Sequence, residues 1–151
     1  MKIVEIDERG IELIAKFEGL KLKPYLCPAG VPTIGYGTTR YPSGLKVSLN
    51  DTPITEAQAK DYLLHDVEQF ELAVDAMATD LLTQGQFNAL VSFAYNLGAQ
   101  ALRGSTLLKK VNANPNDATI GKEFAKWVYA GNKRLEGLAR RRAAEAEMYF
   151  S

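Results

Sequence analysis

The sequence predicts an α+β fold that is mainly helical, with one small sheet in the first third of the chain. Apolar residues recur at helical spacing over most of the 151 residues. Residues 24–50 break this pattern with glycine, proline and threonine, which is typical of hairpins and loops. Two Thr-x-x-Gln capping boxes, at Thr55 and Thr83, mark the starts of later helices.

The first helix is expected from Asp7, a favourable N-cap residue, to about Glu18, where Gly19 offers a stop. Ile11 and Ile14 define its apolar stripe. Glu18 follows them at helical spacing, so its carboxylate falls in the middle of the apolar face.

Residues 24–50 hold what we expect to be the only sheet. In TIGYG (residues 33–37), strand alternation separates two sets of side chains, Ile34 with Tyr36 and Thr33 with Gly35 and Gly37. The second set offers one hydroxyl and two missing side chains. We therefore expect room for a ligand against the backbone there.

The capping box of Thr55 and Gln58 opens a long helix that is expected to end at Met77 or Ala78. At about 1.5 Å per residue this helix is long enough to join two lobes. The rest of the chain is expected to be helical, in segments bounded by these signals: Thr83 to Gly98, a cap at Ser105, a cap at Asn116 or Asp117 before a helix reaching Val128, and a last helix from Leu135.

Lys plus Arg and Asp plus Glu both number 18, so no overall charge attracts nucleic acid or a membrane. No apolar run reaches the roughly 18 residues of a membrane span, and the first ten residues lack the layout of a secretion signal. The prediction is a cytoplasmic chain without stable membrane insertion.

A single cysteine and a single histidine cannot build a structural zinc site, and no metal or other cofactor is expected. A lone cysteine such as Cys27 is most often a small buried apolar residue. A cysteine nucleophile would need a histidine, but His65 lies on the polar side of the long helix and is expected to be solvated.

Glu18 has two interpretations. An acid in the last turn of a helix is often solvated or paired with a lysine. A carboxylate on an apolar face instead favours its protonated form, which general-acid cleavage of a glycosidic bond requires.

Some later residues have both a structural and a functional interpretation. Tyr95, Asn96 and Trp127 suit either core packing or a carbohydrate site. The cations near the C-terminus are expected to form a solvated face: Lys133, Arg134, Arg140, Arg141 and Arg142.

Four stretches resemble the phage-type lysozymes of glycoside hydrolase family 24: FEGLKLKPYLCPAGVPTIGYGTT, SFAYNLG, GSTLLKKVN and GLARRRAAE. The resemblance implies a lysozyme-like fold with an N-terminal lobe (1–54) that carries the catalytic residues. A connecting helix (55–78) and a helical lobe (79–151) complete it, with the cleft between the lobes. It implies an endolysin that cuts the β-1,4 bond between N-acetylmuramic acid and N-acetylglucosamine in peptidoglycan.

By position, the resemblance implies that Glu18 is the general acid and that Thr33 helps to place the attacking water. Position 27 is often Asp in this family, and Cys also occurs there. We expect Gly35, Tyr36, Tyr95 and Asn96 to bind substrate. A monomer is expected, released from the host cytoplasm to the cell wall by a separate holin.

Three roles are open for Cys27. Local donors or cations lower its pKa so that the thiolate acts as a base, the neutral thiol helps Thr33 to orient water, or another residue is the base. We favour the second role. Two rival functions also stay open: a lytic transglycosylase that uses Glu18 alone, and a peptidoglycan-binding module without activity.

Overall fold

The computed structural model describes residues 2–151, which form two compact units. One unit is continuous and contains residues 14–68, whereas the other joins the residues up to 13 to residues 69–151. The fold is mainly helical with a small antiparallel sheet in the continuous unit, as the sequence predicts.

Helix α1, Glu8–Glu18, has the predicted bounds. An Asp7 carboxylate oxygen accepts the amide hydrogen of Gly10 at 3.3 Å, which satisfies one of the unpaired donors of the first turn. Gly19 follows the helix with φ +75°, a left-handed conformation that favours glycine. Ile11 and Ile14 are buried, so the predicted apolar face is confirmed.

Strands β1, Lys21–Leu26, and β2, Pro32–Gly35, form an antiparallel hairpin. The register shifts between Lys21, opposite Gly35, and Tyr25, opposite Thr33. Pro24 lies in this irregular part of β1, where its missing N–H removes no regular ladder bond. The strand begins three residues before the predicted start at Pro24.

Two hairpin tips share one geometry: residues 27–31 (the first tip, CPAGV) and residues 41–45 (the second tip, YPSGL). In each tip the fourth residue donates its amide hydrogen to the carbonyl of the first, at 2.8 Å and 2.9 Å respectively. The fourth residues, Gly30 and Gly44, have φ +77° and +94°. Proline at the second position and left-handed glycine at the fourth are typical of a type I turn closed by a glycine bulge.

The chain reverses within TIGYG, because Ile34 and Thr38 exchange both backbone hydrogen bonds at 2.9 Å. Gly35 and Gly37 supply the positive φ values of +68° and +94° that this short turn requires. The strand therefore stops at Gly35, and the predicted alternation through residue 37 is wrong.

Helix α2, Glu56–Met77, starts at the predicted capping box. The Thr55 amide donates to the Gln58 side chain at 2.9 Å, and the Gln58 amide donates to the Thr55 hydroxyl at 3.1 Å. Its residues Ala59, Leu63 and Val67 follow one another at helical spacing and are buried, so they form an inward-facing apolar stripe.

The remaining elements belong to the discontinuous unit: α3 (Gln84–Leu97), α4 (Ala99–Arg103), α5 (Thr106–Ala113), α6 (Ile120–Ala125), β3 (Tyr129–Ala130), β4 (Lys133–Arg134) and α7 (Glu136–Tyr149). The caps at Thr83 and Ser105 and the stop at Gly98 are confirmed. Two predictions are wrong. The helix that was expected to follow Asn116 or Asp117 and to reach Val128 is α6, which begins after Thr119 and ends at Ala125. The sheet in residues 24–50 was expected to be the only one, but β3 pairs with β4 in a second sheet.

The first residues of the described chain are fastened to the discontinuous unit. Lys2 pairs with Asp75 and Asp80 at 2.9 Å each. The Asn88 amide donates to an Asp7 carboxylate oxygen at 2.7 Å. The N-terminal segment therefore takes part in the packing of residues that lie more than 60 positions later.

Between residues 2 and 151, no helix combines the length and apolar character needed to cross a bilayer.

Candidate active site

Glu18 is the last residue of α1 and lies half-buried on the helix face that carries Ile11 and Ile14. The left-handed Gly19 turns the chain directly into β1 at Lys21. Because a regular helix and a two-residue connection hold Glu18, its position relative to the hairpin is well defined.

Cys27 is half-buried at the first position of the first tip. Hydrogen bonds from the backbone amides of Val31 and Ala29 lower the pKa of the Cys27 thiol, with a further contribution from the Thr33 hydroxyl, while partial burial opposes the shift. The tip geometry that directs these amides toward the sulfur follows from the turn residues. The local donors that a thiolate base at Cys27 would require are therefore present.

Thr33 is 2% exposed, and its hydroxyl donates to the carbonyl of Val31 at 2.8 Å. A hydroxyl has one proton to donate and two lone pairs that accept. With its proton directed to Val31, Thr33 keeps an acceptor for a water molecule. The same hydroxyl also lies within hydrogen-bonding reach of the Cys27 sulfur, where it helps to lower the thiol pKa.

Tyr25 also belongs to this group, although the sequence did not predict it. It lies directly opposite Thr33 in the hairpin and two residues before Cys27, so the three side chains share one face. Burial raises the pKa of the Tyr25 phenol, and negative charge on Cys27 and on Glu18 raises it further. Tyr25 thus lies within electrostatic reach of both groups. The signal available in the sequence was its two-residue spacing from Cys27.

Gly35 does not border open space, which corrects the prediction of room for a ligand. A Cβ atom added to Gly35 would lie 3.3 Å from the Cβ of Ala59 and 3.6 Å from the Cδ1 of Ile54. Glycine is therefore required by its positive φ and by close packing against α2. Tyr36, in the same turn, is 6% exposed.

Tyr95 and Asn96, at the end of α3, belong to the discontinuous unit, and the other predicted site residues belong to the continuous one. The ring of Tyr95 packs edge-on against Phe70, with centroids 5.3 Å apart. The Asn96 side-chain oxygen accepts from Arg142 at 2.7 Å. Both residues thus have structural contacts, and their role in substrate binding stays a prediction.

Arg141 and Arg142 correct the prediction of a solvated basic face. They are 3% and 1% exposed and surround Glu145, which is fully buried. Nε of Arg142 lies 2.8 Å from Oε1 of Glu145, and Ser92 donates to Oε2 at 2.5 Å. Burial raises the pKa of the Glu145 carboxyl, and the two guanidinium groups oppose that rise. Of the predicted cations, Lys133, Arg134 and Arg140 are exposed.

Trp127 packs edge-on against Phe93 at a centroid distance of 5.4 Å, so its ring has a structural partner. His65 is exposed on α2, as predicted, and lies beside Asp66. Asp66 accepts the hydroxyl of Thr38 at 2.7 Å, and burial raises the pKa of this carboxyl against the effects of Thr38 and His65.

Comparison with known proteins places this arrangement in context. The family model described as phage lysozyme matches residues 15–145. The endolysin of Acyrthosiphon pisum secondary endosymbiont phage 1 is 38% identical, with 98% of this chain and 99% of that protein covered.

Solved structures agree. The endolysin from Escherichia coli O157:H7 phage FAHEc1 superposes with a TM-score of 0.88 and 39% identity, covering 97% of this chain and 94% of the other. The muramidase domain of SpmX from Asticcacaulis excentricus gives a TM-score of 0.81 and 32% identity, covering 97% and 98%.

Proposed function

Because the chain belongs to the phage lysozyme family and is therefore a glycoside hydrolase, we propose that it is an endolysin that hydrolyses the β-1,4 bond between N-acetylmuramic acid and N-acetylglucosamine in bacterial peptidoglycan. The observation that supports the choice of site is the grouping of Tyr25, Cys27 and Thr33 on one hairpin face. Of these, Tyr25 is within electrostatic reach of Glu18. The similarity to a muramidase domain supports the choice of bond.

Glu18 is the general acid in this proposal. It transfers its proton to the glycosidic oxygen while the bond from that oxygen to the anomeric carbon breaks. The last turn of a helix suits this role because it holds the carboxyl in one place. Gln in its place keeps the shape of the side chain and removes the proton.

Thr33 and Cys27 place the attacking water. The Thr33 hydroxyl accepts one hydrogen of the water, and the sulfur of Cys27 accepts the other. As the oxygen bonds to the anomeric carbon, that second proton passes to the sulfur when it is a thiolate. The amides of Val31 and Ala29 favour the thiolate, which gives the base role more weight than it had on the sequence alone.

The Glu18→Gln variant tests the proposal. General acid catalysis typically contributes about 10²–10⁴-fold, so hydrolysis of purified peptidoglycan should fall by that factor. Glu12→Gln is the matched control, because Glu12 is an exposed acid on the same helix and its loss should leave the rate unchanged. Equal activity of the Glu18 variant and the parent protein would refute the assignment.

Analysis of the product ends by mass spectrometry separates the rival reaction. Hydrolysis leaves reducing muramic acid ends, whereas a lytic transglycosylase leaves anhydro ends. Binding to peptidoglycan without release of fragments, by both the parent and the Glu18 variant, would support a module without activity.

We further propose that the protein acts as a monomer, that it accumulates in the host cytoplasm and that a holin gives it access to the wall. Expression in bacteria should then cause lysis only after the inner membrane is permeabilised, for example with chloroform. Lysis without permeabilisation would contradict this route.

A further inference from the structure

The continuous unit contains a segment whose own charged residues are all positive. Residues 19–50 contain four cations and no Asp or Glu, although the whole chain has 18 charges of each sign. The four cations, Lys21, Lys23, Arg40 and Lys46, are all exposed. The neutral chain therefore concentrates positive charge on the hairpins.

The same segment exposes large apolar side chains. Within residues 2–151, five of the twelve exposed large apolar residues lie here: Leu22 at 41%, Leu26 at 54%, Val31 at 43%, Leu45 at 71% and Leu49 at 49%. Single exposed apolar residues are ordinary, but a concentration beside cations is typical of an interaction site. We call the five of these residues that lie in or directly beside the two tips the hairpin surface: Leu26, Val31, Arg40, Leu45 and Lys46.

The two hairpin tips present part of this surface rigidly. Val31 and Leu45 each follow the left-handed glycine of a tip, and each accepts the amide hydrogen of the first tip residue, at 3.1 Å and 2.9 Å. The chain reverses at the Ile34–Thr38 bridge, so the segment that enters the second tip runs in the direction of β1. Both tips therefore point toward the same end of the hairpins.

We propose that the hairpin surface binds anionic phospholipid bilayers at their surface. Lysine and arginine are attracted to anionic headgroups, and leucine and valine side chains enter the boundary between headgroups and acyl chains. Residues 19–50 contribute no acid of their own. The carboxylates that contact them, Asp51 at Tyr41 and Asp66 at Thr38, are half-buried and accept hydrogen bonds, whereas the cations are exposed. A second copy of the chain is a poorer partner, because a symmetric contact would bring like charges together.

Cosedimentation with lipid vesicles tests the proposal on the full-length protein. Vesicles of equal parts phosphatidylcholine and phosphatidylglycerol should bind it, and pure phosphatidylcholine vesicles should bind it far more weakly. Added salt should reduce the bound fraction, since headgroup attraction is screened within roughly 10 Å at 0.1 M. Equal binding to both kinds of vesicle would overturn the proposal.

A double variant at the second tip, Leu45→Ser with Lys46→Ser, locates the surface. Loss of one cation at an anionic membrane weakens binding about fivefold, and loss of the leucine adds to this, so the expected decrease is tenfold or more. Neither side chain belongs to the candidate active site, so hydrolysis of lipid-free peptidoglycan should be unchanged.

The matched control is Leu72→Ser with Leu81→Ser. These leucines are 70% and 77% exposed in the discontinuous unit, where the neighbouring residues Glu71 and Asp80 are acidic. Their replacement should leave vesicle binding unchanged, and an equal loss in this control would overturn the assignment to the hairpins.

Other partners give different outcomes. If the second-tip variant weakens binding to lipid-free peptidoglycan as strongly as to vesicles, the surface serves the wall polymer and the lipid proposal fails. If sedimentation velocity shows a dimer that the variant abolishes, the surface is a self-association site and the proposal fails as well. The Glu18→Gln protein should bind vesicles like the parent, so this test does not depend on the proposed hydrolysis.

Discussion

Cys27 occupies the first position of a type I turn, where an aspartate or serine side chain commonly accepts the amide hydrogen of the residue two positions later. Here the sulfur accepts hydrogen bonds from the backbone amides of Val31 and Ala29. A carboxylate at this position would meet the same donors. The turn therefore accommodates either acceptor without a change in backbone, which explains how cysteine fits where the sequence resemblance implies that aspartate is common.

Replacement of Cys27 separates its possible roles. Cys27→Asp should retain or improve activity, because a carboxylate is ionised at neutral pH. Cys27→Ser should retain measurable activity if the side chain only orients water. The kcat/KM of each purified variant on peptidoglycan fragments gives the comparison, and loss of all activity in a folded serine variant would exclude the orienting role.

The pH profile then reports on the thiolate. If the thiolate takes the proton, kcat/KM of the parent protein depends on the fraction of thiolate as well as on the fraction of protonated Glu18. Its pH profile should then bend at the thiol pKa, which the amides place below the ordinary range for cysteine. The serine variant should lack this bend. Matching profiles in the two proteins would show that Cys27 acts as a neutral thiol.

Sequence alone predicted the candidate site in part. Glu18 followed from helical spacing, and Thr33 from strand alternation. Tyr25 was missed because the irregular register of β1 hides its pairing with Thr33. Gly35 was wrongly expected to border a vacancy, since alternation in one strand does not reveal that Ala59 of a helix packs there.

The two hairpin tips provide an internal comparison at the level of elements. A Cβ added to Gly30 or to Gly44 meets nothing within 4 Å, so the cost of alanine is the left-handed backbone alone. Each Gly→Ala change should lower the free energy of unfolding by about 1–2 kcal/mol, measured by urea denaturation. A much larger loss of unfolding free energy at either site would contradict this structure, because it would mean that the added methyl group clashes with neighbouring atoms.

Activity should distinguish these two variants. Gly30→Ala disturbs the turn that directs amides toward Cys27 and should lower the rate of peptidoglycan hydrolysis. Gly44→Ala disturbs an equivalent turn that lacks a candidate active-site residue, and its rate should match that of the parent. Equal rates for both variants would argue against a role for the geometry of the first tip.

The burial of the Asp66 carboxyl on α2 makes stability depend on pH. Burial raises the folded pKa of Asp66 above its unfolded value of about 3.9. The folded state thus holds the proton more tightly, and the stabilisation is complete below the unfolded pKa and is lost as pH rises through the folded pKa. The parent should lose this contribution between about pH 4 and its raised pKa.

Asp66→Asn removes the titration and keeps an acceptor for the Thr38 hydroxyl. The Tm of the variant, measured by circular dichroism, should increase relative to the Tm of the parent as pH rises from about 4 to about 7. Glu68→Gln, at an exposed position on the same helix, serves as the control. A constant Tm difference between the parent and the Asp66 variant across this range would contradict the linkage.

Elements with strong local signals were predicted well. The boxes at Thr55 and Thr83 and the stops at Gly19 and Gly98 mark the observed helix ends. The pairing of β3 with β4 was missed because strands of two residues are too short to show alternation. The expected cap at Asp117 failed because its carboxylate accepts from Thr119 within a turn that precedes α6.

On the scale of the whole molecule, stability depends on a buried charge cluster that composition does not reveal. Arg141, Arg142 and Glu145 on α7 meet Ser92 of α3 in the core of the discontinuous unit. In the sequence, the run Arg140–Arg142 was expected to belong to a solvated basic face. Only tertiary packing turns the guanidinium groups of Arg141 and Arg142 inward. An uncompensated charge in this position carries a high desolvation cost.

Glu145→Gln should therefore lower the free energy of unfolding by about 3–5 kcal/mol, because two buried guanidinium groups lose their counterion. Urea denaturation measures the change. Glu147→Gln, at an exposed position of the same helix, should change the free energy of unfolding by no more than about 0.5 kcal/mol. A loss of less than about 1 kcal/mol at Glu145 would show that the core tolerates the unpaired cations.

The fastening of Lys2 and Asp7 to residues 75–88 also orders events during synthesis on the ribosome. The continuous unit, residues 14–68, emerges whole and has all of its internal partners at once. The segment before it emerges first, but it must wait for Asp75 and Asn88 to be translated. The earliest residues of the chain are thus among the last to reach their native contacts. A nascent chain halted when residue 68 has just left the ribosome should show a protease-resistant hairpin unit and an unprotected N-terminus.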